Sequence, residues 1–178
     1  MCRPFLARIL LLVVLCQTGQ TIAADSEECV VLLHGLFRSS VAMKPMEWYL
    51  EQAGYQVVNQ GYDSISATIE VLAETAVGAG LAACQNLGSS RVHFVTHSLG
   101  GVLVRQYASV HSLAPGSRVV MLGPPNQGSQ VAAYYAGLDW LEGLRPVAID
   151  QLAAGEQSVP PRLGPVDFQL GIIAGNLR

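Results

Sequence analysis

The sequence has no apolar run long enough to cross a bilayer. The run nearest its start, Ile9 to Cys16 (ILLLVVLC), covers eight residues, far short of the roughly 20 that a spanning helix needs. Charge is scarce as well: 13% of the 178 residues are Asp, Glu, Lys or Arg, and they form no basic run or stripe. A nucleic-acid partner is excluded on those grounds, because such binders carry a concentrated positive footprint. Low-complexity tracts and internal repeats are also missing.

The first two dozen residues read as a targeting segment. Arg3 and Arg8 precede the short apolar run, and Thr21-Ile22-Ala23-Ala24 follows it with small residues suited to cleavage, the pattern of a secretory signal peptide. A lipoprotein signal using Cys16 is the weaker alternative, because Leu15 stands where a small residue should precede the cysteine. The expectation is a signal peptide over residues 1–24 and a secreted or periplasmic chain. The remaining 154 residues are the size of one domain. Losing Arg3 and Arg8 leaves eight basic residues against thirteen acidic ones, a net charge of −5. Only Cys29 and Cys84 remain, an even pair in an oxidising compartment. Cys29 opens one expected strand, and Cys84 ends the helix before another. If those strands are neighbours, the two thiols share an edge of the sheet. A disulfide and a pair of buried free thiols both remain open.

With 51% apolar residues, the chain can bury both faces of a parallel sheet. Cys29 to Leu33 (CVVLL), Tyr55 to Asn59 (YQVVN), Val92 to Thr96, Arg118 to Leu122 (RVVML) and Phe168 to Ala174 (FQLGIIA) read as strands. Between them lie helical patterns: Pro45 to Ala53, then a longer helix with Ile69, Leu72, Ala76, Ala79 and Ala83 inward, then Leu99 to Val110. Alternating strands and helices imply βαβ crossovers, hence an α/β fold with helices on both faces of a mostly parallel sheet. From Gln130 to Val166 the pattern loosens around an apolar cluster of Tyr134, Tyr135, Leu138, Trp140 and Leu141. This region, 130–166, reads either as a cap or lid over a pocket or as ordinary packing.

Three segments converge where the C-terminal ends of parallel strands meet. Arg91 to Gly101 (RVHFVTHSLGG) carries Ser98 on a tight strand-to-helix turn, the geometry of a nucleophile elbow. The usual pattern is G-x-S-x-G. Gly100 satisfies its second glycine, and Thr96 replaces the first. His34-Gly35-Leu36 ends the first strand, where a glycine lets the Leu36 amide face the serine. With the Leu99 amide it would give two donors to an oxyanion. Gly123 to Ser129 (GPPNQGS) would wall the same site. The bland reading of Ser98 is an N-cap serine, and His34, like His97, is expected to brace the turn rather than touch substrate.

LLHGL, THSLGG and GPPNQGS, in that order, resemble the α/β-hydrolase superfamily, in particular its bacterial secreted lipase-like and esterase-like members. The resemblance runs from about Cys29 through Ala174. It implies Ser98 as nucleophile, Leu36 and Leu99 as oxyanion donors, and hydrolysis of a small-molecule or lipid ester, with lipid-interface contact and without metal or organic cofactor.

A serine hydroxyl needs a base, and the base needs an acid to orient it. After Ser98 the only histidine is His111, with no Asp or Glu between them. It stands thirteen residues along a helix, roughly 20 Å away at 1.5 Å per residue. His93 is too far upstream along its strand, and an extended strand would turn His97 to the face opposite Ser98. Asp139, Asp150 and Asp167 all fall outside the loop where the resemblance places the acid. The sequence stops at Asn176-Leu177-Arg178, just past that strand. The expectation is an incomplete copy of a longer hydrolase, inactive or nearly so as it stands, with an exposed sheet edge that favours association. Two other readings are a non-catalytic binding protein on the same sheet and an acyltransferase. Oligomeric state is not legible.

Overall fold

The structure is a computed structural model that describes residues 27–138, 146–155 and 158–175. The signal segment, Trp140 and Leu141 lie outside the described residues. Five parallel strands form one sheet in the order β2-β1-β3-β4-β5: β1 Glu28–Leu33, β2 Gln56–Gln60, β3 Arg91–His97, β4 Arg118–Leu122 and β5 Gln169–Ile173. Each is short; β1 is Val- and Leu-rich and buried, as expected where both faces are covered, whereas β5 at the edge is exposed along its length.

The pleat sorts β1 between two apolar layers. Cys29, Val31 and Leu33 face a large core with Phe94 of β3, Met121 of β4 and Leu99 and Leu103 of a following helix. Val30 and Leu32 face a smaller one with Met43, under α1 (Lys44–Gln52). The large core is roofed by α2 (Ile69–Leu72) and α3 (Gly78–Asn86), joined through a π turn at Ala73–Val77, and by α4 (Leu99–Ala108). The sequence pattern places Ala79 and Ala83 inward. The structure instead buries Val77, Gly80 and Cys84, leaving Ala79 exposed and Ala83 half-buried. A π turn inserts an extra residue into the helical period, which shifts the phase downstream by one. Gly80 permits the contact that results, since a Cβ there would lie 2.6 Å from Val31 Cγ1.

That phase also brings Cys84 to β1. Cys29 and Cys84 form a disulfide with Cα atoms 5.8 Å apart, and both are fully buried. The condition set by the sequence, that their strands be neighbours, is met by the direct β1–β3 pairing.

At this N-terminal rim of the sheet, polar side chains also bridge the strands. Arg91 pairs with Glu28, and Arg118 Nε donates to Gln169 Oε1 at 3.1 Å. Between them His93 Nδ1 accepts the Arg118 backbone N–H at 3.1 Å, so its proton sits on Nε2, 3.6 Å from Glu28 Oε1. Burial, and secondarily Arg118 and Arg91, hold the His93 imidazole below the ordinary histidine value of 6.5, against the opposing pull of Glu28. Because the unfolded chain accepts a proton that folded His93 refuses, stability is full above about pH 6.5 and falls as pH drops below it. Urea unfolding at pH 7.5 and 5.5 should show a drop in midpoint that shrinks in His93→Asn, which retains an acceptor for the Arg118 amide. An undiminished drop in that variant would assign the acid sensitivity to other groups.

Candidate active site

Ser98 sits at the end of β3 with φ 51° and ψ −118°, a backbone conformation that costs a non-glycine residue on the order of 1–3 kcal/mol. The surroundings hold it there: Ser98 N–H donates to Leu122 O at 2.9 Å, and Gly101 N–H donates to Ser98 O at 3.0 Å. It occupies the N-cap position of α4, yet its side chain makes no capping bond. Thr68 and Ser129 do cap α2 and α5 (Gln130–Ala136), so the chain uses hydroxyls as caps elsewhere and leaves this one uncommitted.

The elbow is tight because two glycines admit it. A Cβ on Gly100 would lie 2.6 Å from Leu33 O, 2.9 Å from Leu33 Cβ and 3.0 Å from His34 O. Gly100→Ala should therefore cost about 2 kcal/mol of stability, in the range of overpacked sites, read as a lower urea midpoint; an unchanged midpoint would mean that α4 can shift away freely. The departure at Thr96 is absorbed from the other side. Thr96 is fully buried, and a Cβ on its neighbour Gly101 would meet Thr96 Oγ1 at 3.2 Å and Met121 Sδ at 3.1 Å. The room that the first glycine usually supplies comes here from Gly101.

The end of β1 passes beside the serine. A Cβ on Gly35 would lie 2.8 Å from His97 Nδ1 and 3.1 Å from Ser98 Cβ. His97 and Ser98 thus meet the same point, whereas strand alternation predicts opposite faces; the positive φ of Ser98 breaks the alternation. Arg38 N–H donates to Gly35 O at 3.2 Å, closing a turn with Phe37 at φ 56°. His97 is exposed on this turn. Partial burial of its ring, with Arg38 and His34 nearby, holds its imidazole below the ordinary histidine value, so it is neutral at pH 7.

Ser98 opens on a cavity of about 470 Å³. Leu36 and Phe37 line one side, Pro125 and Ser129 of the loop after β4 another, and α5 and α6 (Val147–Leu152) the rest through Val131, Tyr135, Ile149 and Leu152. The walls are mostly apolar. Gly128 lets the loop press on α6, where a Cβ would lie 2.8 Å from Ala154 Cα, and Ser129 N–H donates to Leu152 O at 2.7 Å.

Some supporting residues carry no sequence signal. Arg105 of α4 is buried and donates to Asn126 Oδ1 at 3.0 Å and Gly164 O at 2.9 Å, tying the GPPNQGS loop to the chain after α7 (Val159–Arg162). Its one visible mark is a charge directly after the apolar run Val102-Leu103-Val104. Gln151 of α6 accepts the Ile69 N–H at 2.7 Å and donates to Glu70. Tyr62, after β2, donates to His34 O at 2.5 Å.

His111 and His93 stand apart from Ser98. His111 bonds Glu74 at 2.8 Å beyond the far end of α4, and His93 lies at the N-terminal rim. His34 is fully buried, with Nδ1 2.9 Å from Gly35 O. Among the described residues no imidazole hydrogen-bonds the Ser98 hydroxyl, and no group of three or more His, Cys, Asp or Glu could hold a metal.

No protein-family profile and no curated protein matches this sequence. Solved structures do match its backbone. The phospholipase PlaB from Legionella pneumophila superposes with a TM-score of 0.58 at 21% identity, over 76% of this chain and 34% of that one. A Bacillus licheniformis lipase superposes in its propeptide form with a TM-score of 0.59 at 22% identity, over 76% and 31%, and in its mature form with 0.57 at 24%, over 72% and 55%. The fold is that of the α/β-hydrolases. The chain spans about a third of the length of the phospholipase and of the propeptide-form lipase.

Proposed function

We propose that this chain is a serine hydrolase of lipase or esterase type, acting on carboxylic esters with apolar acyl groups. The observation that carries the reading is Ser98 itself: strained, uncapped and opening on the apolar cavity. In the first step Ser98 Oγ bonds to the ester carbonyl carbon, the carbon–alkoxy bond breaks, and the alcohol leaves with the serine proton. Water then cleaves the acyl-serine, releasing the acid and restoring the hydroxyl. The amides of Leu36 and Leu99 would stabilise the oxyanion in both steps. The lipase and phospholipase likenesses support the ester class. No metal or organic cofactor enters this chemistry.

No imidazole among the described residues hydrogen-bonds the Ser98 hydroxyl, so slow acylation and little turnover are expected. The non-catalytic alternative draws on that same feature. Incubation with p-nitrophenyl acetate and p-nitrophenyl octanoate separates the two: the proposal expects an acyl adduct on Ser98, formed faster from the octanoate. No adduct from either ester would favour the binding protein. Phe37 and Val131, 62% and 67% exposed at the mouth of the cavity, support presentation of substrate from a lipid surface. The buried disulfide fits export through an oxidising compartment. In this reading α5 and α6, which line the cavity beside Ser98, serve as the cap.

A further inference from the structure

Tyr62 belongs to no motif, and the geometry around it leads to the oxyanion turn. Its ring stacks on the His34 imidazole, centroids 4.1 Å apart and planes 11° from parallel, while its hydroxyl donates to the His34 carbonyl. His34 is held by ring and backbone together. A carbonyl oxygen can only accept, so the 2.9 Å contact between His34 Nδ1 and Gly35 O requires the proton on Nδ1. The Gly35 carbonyl and the Leu36 N–H belong to one planar, trans peptide group, which fixes one when the other is fixed. Holding Gly35 O therefore aims the Leu36 amide.

We propose that Tyr62 is a positioning residue for the oxyanion donor: it seats the His34 ring, whose Nδ1–H holds Gly35 O and so orients the Leu36 N–H. The inference rests on the reading of Ser98 as nucleophile. Burial also pushes the Tyr62 hydroxyl above the ordinary tyrosine value, so it remains a donor at any pH suited to an ester assay. Among the described residues the fully buried His34 Nε2 has no hydrogen-bond partner. The Tyr62 stack and the bond to Gly35 O are thus the directional contacts on this ring among the described residues.

The test compares Ser98 acylation by p-nitrophenyl butyrate and by its thionoester, whose sulfur accepts hydrogen bonds poorly and responds weakly to an oxyanion donor. Tyr62→Phe keeps the stacked ring and removes only the hydroxyl. It should slow acylation by the oxygen ester at saturation about tenfold, less than outright loss of an oxyanion donor costs. The half-saturating concentration and the thionoester rate should stay unchanged. Tyr62→Leu, which loses the stack as well, should slow the oxygen ester further. Equal loss for both esters, or an unchanged rate for both, overturns the proposal. Absence of any Ser98 adduct in the unaltered protein instead overturns the reading of Ser98, and the role of Tyr62 with it.

Discussion

Replacing Cys29 and Cys84 by alanine should lower the unfolding free energy by about 4 kcal/mol, judged by the chain-entropy cost of opening a loop of this length. The bond joins residues 55 apart in sequence, and the loop it closes contains α1, β2 and the α2–α3 helix. That loop supplies all of the smaller apolar layer but Val95, and much of the larger one. Without the cross-link the unfolded chain gains freedom, while the folded sheet keeps its β1–β3 pairing. Urea titration of the protein with and without reductant, and of the double variant, measures the difference. A change below about 1 kcal/mol, under the usual range for a native disulfide, would mean that packing around α3 carries the stability alone.

Ser98→Ala should abolish the acyl adduct altogether, because among the described residues no other hydroxyl combines the elbow backbone with the cavity. The effect on folding should run the other way in a companion variant. Alanine retains the Cβ that makes φ 51° unfavourable, so Ser98→Ala should be nearly neutral in stability. Glycine removes that Cβ, and Ser98→Gly should stabilise by about 1 kcal/mol. Loss of activity in both variants with a gain in stability only in the second would identify the strain as the cost of presenting the hydroxyl. Ester hydrolysis with thermal unfolding of the three proteins makes the comparison.

Legibility from sequence followed the range of the interactions. Arg118 to Leu122 coincides with β4 residue for residue, because an apolar run between a turn and Gly123-Pro124-Pro125 leaves little choice of boundary. Ser98 on its strand-to-helix turn and the approach of Gly35 were legible for the same reason, since the small residues that tight contact demands are visible locally. The helix over residues 69–86 was read in the wrong phase beyond Ala76. Its second half, GAGLAACQN, is small and apolar on several faces, so periodicity could not choose between Ala79 and Gly80. The π turn and the disulfide decided it. The fit of Thr96 in the elbow is not legible in the motif, because the space comes from Gly101 on the following helix. Arg105, Gln151 and Tyr62 were missed because their partners lie 21 to 82 residues away, and only the folded sheet brings them together.

The central claim is that Ser98 is a nucleophile position. Incubating the protein with a fluorophosphonate and mapping the adduct by peptide mass spectrometry tests it most directly. The account predicts one adduct, slow to form, on the peptide that carries Ser98, and none in Ser98→Ala. No adduct on that peptide, or an adduct that persists elsewhere in Ser98→Ala at the same rate, would contradict it.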